Sequence, residues 1–290
     1  MIYILKLFIR AALWIFCADV NVNNKSLLKT KGPLLIIANH PNSFLDAIII
    51  GAQYKRRIHF LARGDIFTKK HHRFLLGLLN MIPVYRQREG KQFLHLNEYA
   101  FNKATELLEK EEAVLIFIEG VCINKNEIQP FKKGTSRIIE RIQAKKTNPK
   151  IHIAAIAYNN FRGIGKKVNI SLVNFINIPI IITAKDRVLF NQKVATILNE
   201  NILIPTTETK IIKTPLYYLH LFSFYPILLI VNKKTKGTVF YDSILFALLF
   251  FTYPIFLCLI FILLNLIGLS LPIIFCILVA IPIISKQGIE

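Results

Sequence analysis

The string Asn39-His40-Pro41-Asn42-Ser43-Phe44-Leu45-Asp46 puts an imidazole and a carboxylate six positions apart. Imidazole titrates near neutrality. A carboxylate that accepts from one ring nitrogen leaves the other free to take a proton from a bound hydroxyl. Six residues turn about 240° around a regular helix, so the two groups meet only if His40 sits in a turn ahead of the helix carrying Asp46. Pro41 fits that placement, because it stops the strand before it and fixes the turn. Ser43 lacks the surroundings of a strained nucleophile elbow. The pattern is a base and its orienting acid, without a covalent nucleophile.

The elements that must position this pair follow from hydrophobic patterning. LLIIAN (34–39) reads as a buried strand and DAIIIGAQ (46–53) as the helix after it. IHFLAR (58–63) and MIPVYR (81–86) read as strands around a basic helical stretch with Lys69, Lys70 and Arg73. A helix is expected within 92–110, from Phe93, Leu96, Phe101, Ala104, Leu107 and Leu108. AVLIFIEG (113–120), IHIAAIAY (151–158) and VNISLVNF (168–175) complete the strands. Thr183 and Asp186 form a capping box before a last helix through Leu198. Strands alternating with helices predict an α/β domain, over 21–215, in which groups at strand carboxyl ends face the ligand crevice.

Composition narrows the class. The 290 residues carry net charge +20, yet 53% are hydrophobic and the mean hydropathy is +0.46. A disordered basic tail is excluded, and so greasy a cation points to anionic head groups before nucleic acid. Cys17, Cys122, Cys258 and Cys276 lie far apart, which argues against a disulfide framework or zinc site and predicts no metal. Residues 1–20 are apolar with Lys6 and Arg10 on one helical face, the pattern of an uncleaved helix in a membrane interface. Residues 216–242 read as an interfacial, basic linker. Residues 243–285 contain no Asp, Glu, Lys or Arg, enough for two bilayer crossings over 243–286 with a bend at Asn265, Gly268 and Pro272. Lys233, Lys234 and Lys236 before the run, and Lys286 after it, place both ends and the α/β domain on the cytoplasmic side.

NHPNSFLDA resembles the first motif of the glycerolipid acyltransferases, with five residues between His and Asp where four are common. Three further blocks follow in that family's order. FLARGDIF (60–67) matches a basic residue two before an acidic one, Arg63 and Asp65. GLLNMIPVYRQ (77–87) is similar to the second motif, with Arg86 implied as a ligand of the substrate phosphate. FIEG (117–120) is similar to the third, with Ile118 where Pro is usual, and FKKGTSRI (131–138) to the Lys-x-Gly segment after it. A fourth, AAIAYNN (154–160), has Ala155 where a proline is expected.

The resemblance, over about residues 30–180, implies a mixed sheet flanked by helices and direct acyl transfer. His40, oriented by Asp46, would activate a hydroxyl of glycerol 3-phosphate or its 1-acyl ester toward acyl-CoA or an acylated carrier protein, with no bound cofactor. Fixed cations suit a phosphate-bearing acceptor, and arginine supplies a planar fork for it. Arg63, Arg86 and Lys133 are the candidates. Glu119, beside the flexible Gly120, would hold an arginine or bond a glycerol hydroxyl. Two other readings are a lysolipid acceptor without phosphate, such as an aminolipid, and a non-catalytic protein that grips anionic membrane through bulk charge.

Overall fold

The computed structural model describes residues 2–85, 95–206 and 215–285. A seven-stranded sheet forms its centre: β1 (Cys17–Asn23), β2 (Leu34–Ala38), β3 (Ile58–Arg63), β4 (Met81–Val84), β5 (Ala113–Phe117), β6 (Lys150–Tyr158) and β7 (Lys166–Asn174), in the spatial order β1-β7-β6-β2-β5-β3-β4. Only the β6–β7 pair is antiparallel. The expected mixed α/β sheet is what forms.

β2 is central because it is apolar on both sides, as a parallel strand covered by helices must be. Leu34, Ile36 and Ala38 join one core cluster and Leu35 and Ile37 the other, and all five are fully buried. Helices α1 (Ile2–Phe16) and α2 (Ser43–Gln53) cover the first face; α4 (Leu96–Glu109), α5 (Gly134–Ala144) and α6 (Ala184–Asn201) cover the second. α3 (Lys70–Leu78) is the basic helical stretch. The Thr183–Asp186 capping box is present at the start of α6. No element was read over 134–144, where Ile138, Ile139 and Ile142 give α5 its buried side.

The N-terminal helix is shorter than expected. It stops at Phe16, and Cys17–Asn23 leaves it as an edge strand paired parallel to β7. CADVNVN alternates from Asp19 to Asn23, a period of two that the apolar run before it conceals. Lys6 and Arg10 reach across to the carboxyl end of α2. Lys6 Nζ donates to the carbonyls of Tyr54 (2.8 Å) and Arg56 (2.6 Å), and Arg10 Nε to that of Ala52 (2.7 Å). Cations there meet unpaired carbonyls and the negative end of the helix dipole. Burial pulls the Lys6 ammonium down to about 8, helped by Arg10. The outward side of α1 shows Tyr3, Ile4, Leu7, Phe8 and Trp14.

Helix α7 (Pro215–Thr235) fills most of the expected linker; α8 (Tyr241–Leu266) and α9 (Leu271–Ser285) follow it. The bend between α8 and α9 falls where expected, at Gly268, whose φ of 81° is left-handed and favours glycine. α8 is the one described helix long and apolar enough to cross a membrane. Its 26 residues reach about 39 Å, whereas the 15 of α9 reach about 22 Å, short of a ~30 Å hydrocarbon core.

Candidate active site

The carboxyl ends of β2, β3, β5 and β6 lie along one edge of the sheet, and the candidate residues gather there. β2 ends at Ala38. Asn39 then clamps β6 with its side-chain amide, donating to the Ile156 carbonyl (2.9 Å) and accepting from the Ile156 N–H (2.8 Å). That pairing fixes the exit of the chain into the His40 turn. Ser43 opens α2 at a φ of 51°, a left-handed conformation that a serine adopts only where its surroundings impose it.

The turn brings His40 back over the first turn of α2. His40 Nδ1 lies 2.9 Å from Asp46 Oδ2, so the two groups meet as the spacing requires. Asp46 is fully buried while the His40 side chain keeps 19% of its surface exposed. The carboxylate accepts two more hydrogen bonds, from the Asn42 N–H (2.8 Å) and from the Tyr158 hydroxyl (2.6 Å). Burial, reinforced by Asp46, holds the Tyr158 phenol well above its usual range, so it stays a donor. The buried carboxylate is thus surrounded by hydrogen-bond partners, as a buried polar group must be. With Nδ1 turned to Asp46, Nε2 is the ring nitrogen available to substrate.

The imidazole also stacks on Phe117, at the end of β5, with ring centroids 3.9 Å apart and 15° between planes. Glu119, two residues on, is buried, and its Oε2 accepts the His40 N–H while Oε1 accepts that of Gln129, both at 3.1 Å. Burial pushes its carboxyl up from the usual 4.5 to about 7, against the two amide hydrogen bonds that pull it down. Glu119 therefore holds the backbone of the His40 turn. The sequence reading put it beside an arginine or a glycerol hydroxyl; here both its oxygens serve main-chain amides.

Gly120 has a φ of 60°, and a Cβ there would stand 2.8 Å from Lys132 Cγ. The glycine lets the 118–133 loop turn back, so that the Lys132 N–H donates to the Ile118 carbonyl (2.9 Å) and Lys133 is brought near the end of β5. Lys133 is exposed, at the N-cap position of α5. The same loop covers the His40 turn: Asn124 Nδ2 donates to the Pro41 carbonyl (2.9 Å) and the Ser43 N–H to Cys122 Sγ (2.9 Å). Burial, with Asp46 nearby, raises the Cys122 thiol far above neutrality, which leaves it protonated and poorly nucleophilic.

Arg63 ends β3 and forks onto Asp65, its Nε 3.0 Å from Oδ1 and its NH2 on Oδ2. It also lies 5.5 Å from the Phe240 ring centroid. Arg86 lies outside the described residues. Among the described residues no group of three or more His, Cys, Asp or Glu side chains could hold a metal ion. Sequence reasoning missed Tyr158, although it stands in the AAIAYNN block; only the parallel β2–β6 pairing reveals that this strand end faces Asp46.

No curated protein matches the chain. Among solved structures it is similar to the 1-acyl-sn-glycerophosphate (LPA) acyltransferase PlsC from Thermotoga maritima, at 20% identity and a TM-score of 0.46, over 67% of this chain and 77% of that one. The model of the family described as Acyltransferase matches residues 19–159, the span that holds His40, Asp46, Glu119 and Tyr158. The match to the acyltransferase family thus lies on residues 19–159, just under half of the chain and the part that builds this site.

Proposed function

We propose that the chain moves a fatty acyl group from acyl-CoA or acyl carrier protein to a hydroxyl of 1-acylglycerol 3-phosphate or glycerol 3-phosphate, at a membrane and on its cytoplasmic side. The observation that carries this reading is the His40–Asp46 pair, 2.9 Å apart at the carboxyl edge of the sheet with Nε2 turned away from the acid. The acceptor hydroxyl gives its proton to Nε2 as its oxygen attacks the thioester carbonyl. Collapse of the tetrahedral intermediate expels the thiolate, which takes the proton back from the imidazolium. Asp46, held by Asn42 and Tyr158, stabilises the imidazolium between those steps and fixes the ring.

Arg86 and Lys133 take the acceptor phosphate in this reading. Arg63 is already forked onto Asp65, so it contributes by exchanging that carboxylate for phosphate. α8, with the exposed apolar side of α1, sets the domain against the bilayer where acyl chain and product reside. The four segments read from the sequence belong to the same proposal, with the first helix ending at Phe16.

The test is turnover by the purified full-length chain with acyl-CoA or acylated carrier protein as donor. Acceptors with and without phosphate are compared. His40→Ala is expected to reduce kcat by about 10²–10⁴-fold while the protein stays folded. Near-normal turnover removes His40 from the mechanism, and equal use of phosphate-free acceptors assigns the site to another lysolipid.

A further inference from the structure

We infer that the first turn of α8 is part of the support of the active site: Asp242 positions the His40–Asp46 pair through Asn42, so the apolar C-terminal helix sets catalytic geometry as well as location. This rests on the proposed role of His40 as base. Asp242 lies well beyond the residues matched by the acyltransferase family.

Asn42 occupies the N-cap position of α2, where an asparagine side chain ordinarily accepts from the first turn of its own helix. Here it makes no such bond. Its main-chain N–H goes to Asp46 Oδ2 (2.8 Å) and its Nδ2 to Asp242 Oδ2 (2.7 Å), so one buried residue bridges the catalytic acid and α8. The amide oxygen of Asn42 has no partner among the described residues, which leaves Asp242 as the group that sets the orientation of this side chain. The orphan amide of Leu45 is taken by α8 as well, through Ser243 Oγ at 3.2 Å. α8 thus supplies from outside the cap that α2 does not make for itself.

Asp242 is itself fixed. It pairs with Lys166, both side chains being fully buried, and accepts the Gly163 N–H at 3.1 Å. A buried ion pair of this kind adds little stability over an apolar pair, and its best-attested use is to fix register. The neighbours of Asp242 dock on the same edge. Phe240 lies against Arg63, and the Arg162 guanidinium lies 4.1 Å from the Tyr241 ring centroid.

The experiment uses the full chain in lipid nanodiscs. Asp242→Ala strands a buried lysine, so the principal variant is the neutral pair Asp242→Leu with Lys166→Met, which leaves Asn42 Nδ2 without its acceptor. Two quantities are read: kcat and KM for acyl transfer from acyl-CoA to 1-acylglycerol 3-phosphate, and amide hydrogen exchange of residues 39–46. A fall in kcat of at least tenfold is expected, with KM changed less than twofold. Exchange in 39–46 should rise while β5 and β6 stay protected. Ser243→Ala leaves the ion pair in place; it should lower kcat about threefold and speed exchange at Leu45, and it carries the test if the double variant does not fold. A folded double variant with kcat within twofold of the parent overturns the inference. So does a loss of kcat with unchanged exchange in 39–46. Should the parent transfer no acyl group, the proposed function fails by itself, and the exchange of 39–46 still decides whether α8 holds the turn.

Discussion

On one face of the sheet, α4, α5 and α6 bury Phe101, Leu108, Ile138, Ile142 and Phe190, and present charge outward. Their outer sides are joined by ion pairs: Arg141 with Glu98, Lys145 with Glu109 at 2.9 Å, and Arg187 with Glu140. On the opposite face, α1, α2 and α8 bury Leu13, Phe16, Leu45, Ile49, Leu245 and Phe246. There the outer sides remain apolar, with Leu7, Phe8 and Trp14 on α1, and Phe251, Ile255, Leu259 and Leu266 on α8, all exposed by half or more. A helix that is apolar all round needs an apolar neighbour on every side. The first face carries its ion pairs toward water. The second presents apolar surface, which in the proposed function meets the bilayer, and the His40 turn lies at the carboxyl edge of the sheet.

The strongest way to break this contrast is to place the same charge on each face. Leu259→Lys should lower membrane insertion by about 2.5–3.5 kcal/mol, read as loss of the carbonate-resistant fraction. Val188→Lys, at a position on α6 that is also half exposed, should change stability by less than about 0.5 kcal/mol in a thermal melt. Equal behaviour of the two variants would end the distinction.

At the shared edge, Glu119 should give a pH signature. Its folded pKa is raised above the unfolded value, so the folded state holds a proton that the unfolded chain has released between pH 4.5 and about 7. Stability therefore falls as pH rises through that window, by up to about 3 kcal/mol. Glu119→Gln should flatten the fall in melts taken from pH 4 to 8; an unaltered slope would assign it to another group.

Arg10→Met removes a cation from the carboxyl end of α2 and should cost about 1 kcal/mol, seen as a lower Tm of the detergent-solubilised protein. The smallest effect belongs to the water face. Arg141→Ala should cost about 0.2–1 kcal/mol, and the difference should vanish in high salt. Persistence of that difference in 1 M salt would mean that the pair is not solvated as its exposure indicates.

The sequence made local features legible. His40 and Asp46 are six apart and the strand, proline and helix around them constrain how they meet, so the pair could be read directly. The same holds for six of the seven sheet strands, for the Thr183–Asp186 cap and for the Gly268 bend. What stayed hidden joins distant positions. The Asn42–Asp242 bond closes over 200 residues, Tyr158 meets Asp46 only through strand pairing, and neither leaves a periodic trace. Glu119 stood out as an acid ending an apolar run, but its use by two backbone amides needs the three-dimensional turn. β1 was masked for another reason: its alternation begins where a strongly apolar helix ends.

That edge strand has a consequence for biosynthesis. Among the described residues β1 pairs only with β7, and Cys17 faces Lys166 across that ladder. At elongation rates of about 5–20 residues per second, the emerging segment waits roughly 7–30 s for its partner to leave the ribosome. An unpaired strand invites the wrong neighbour throughout that delay. Asp19, Asn21 and Asn23 place a polar side chain at every second position of the waiting segment, the pattern that disfavours edge-to-edge pairing.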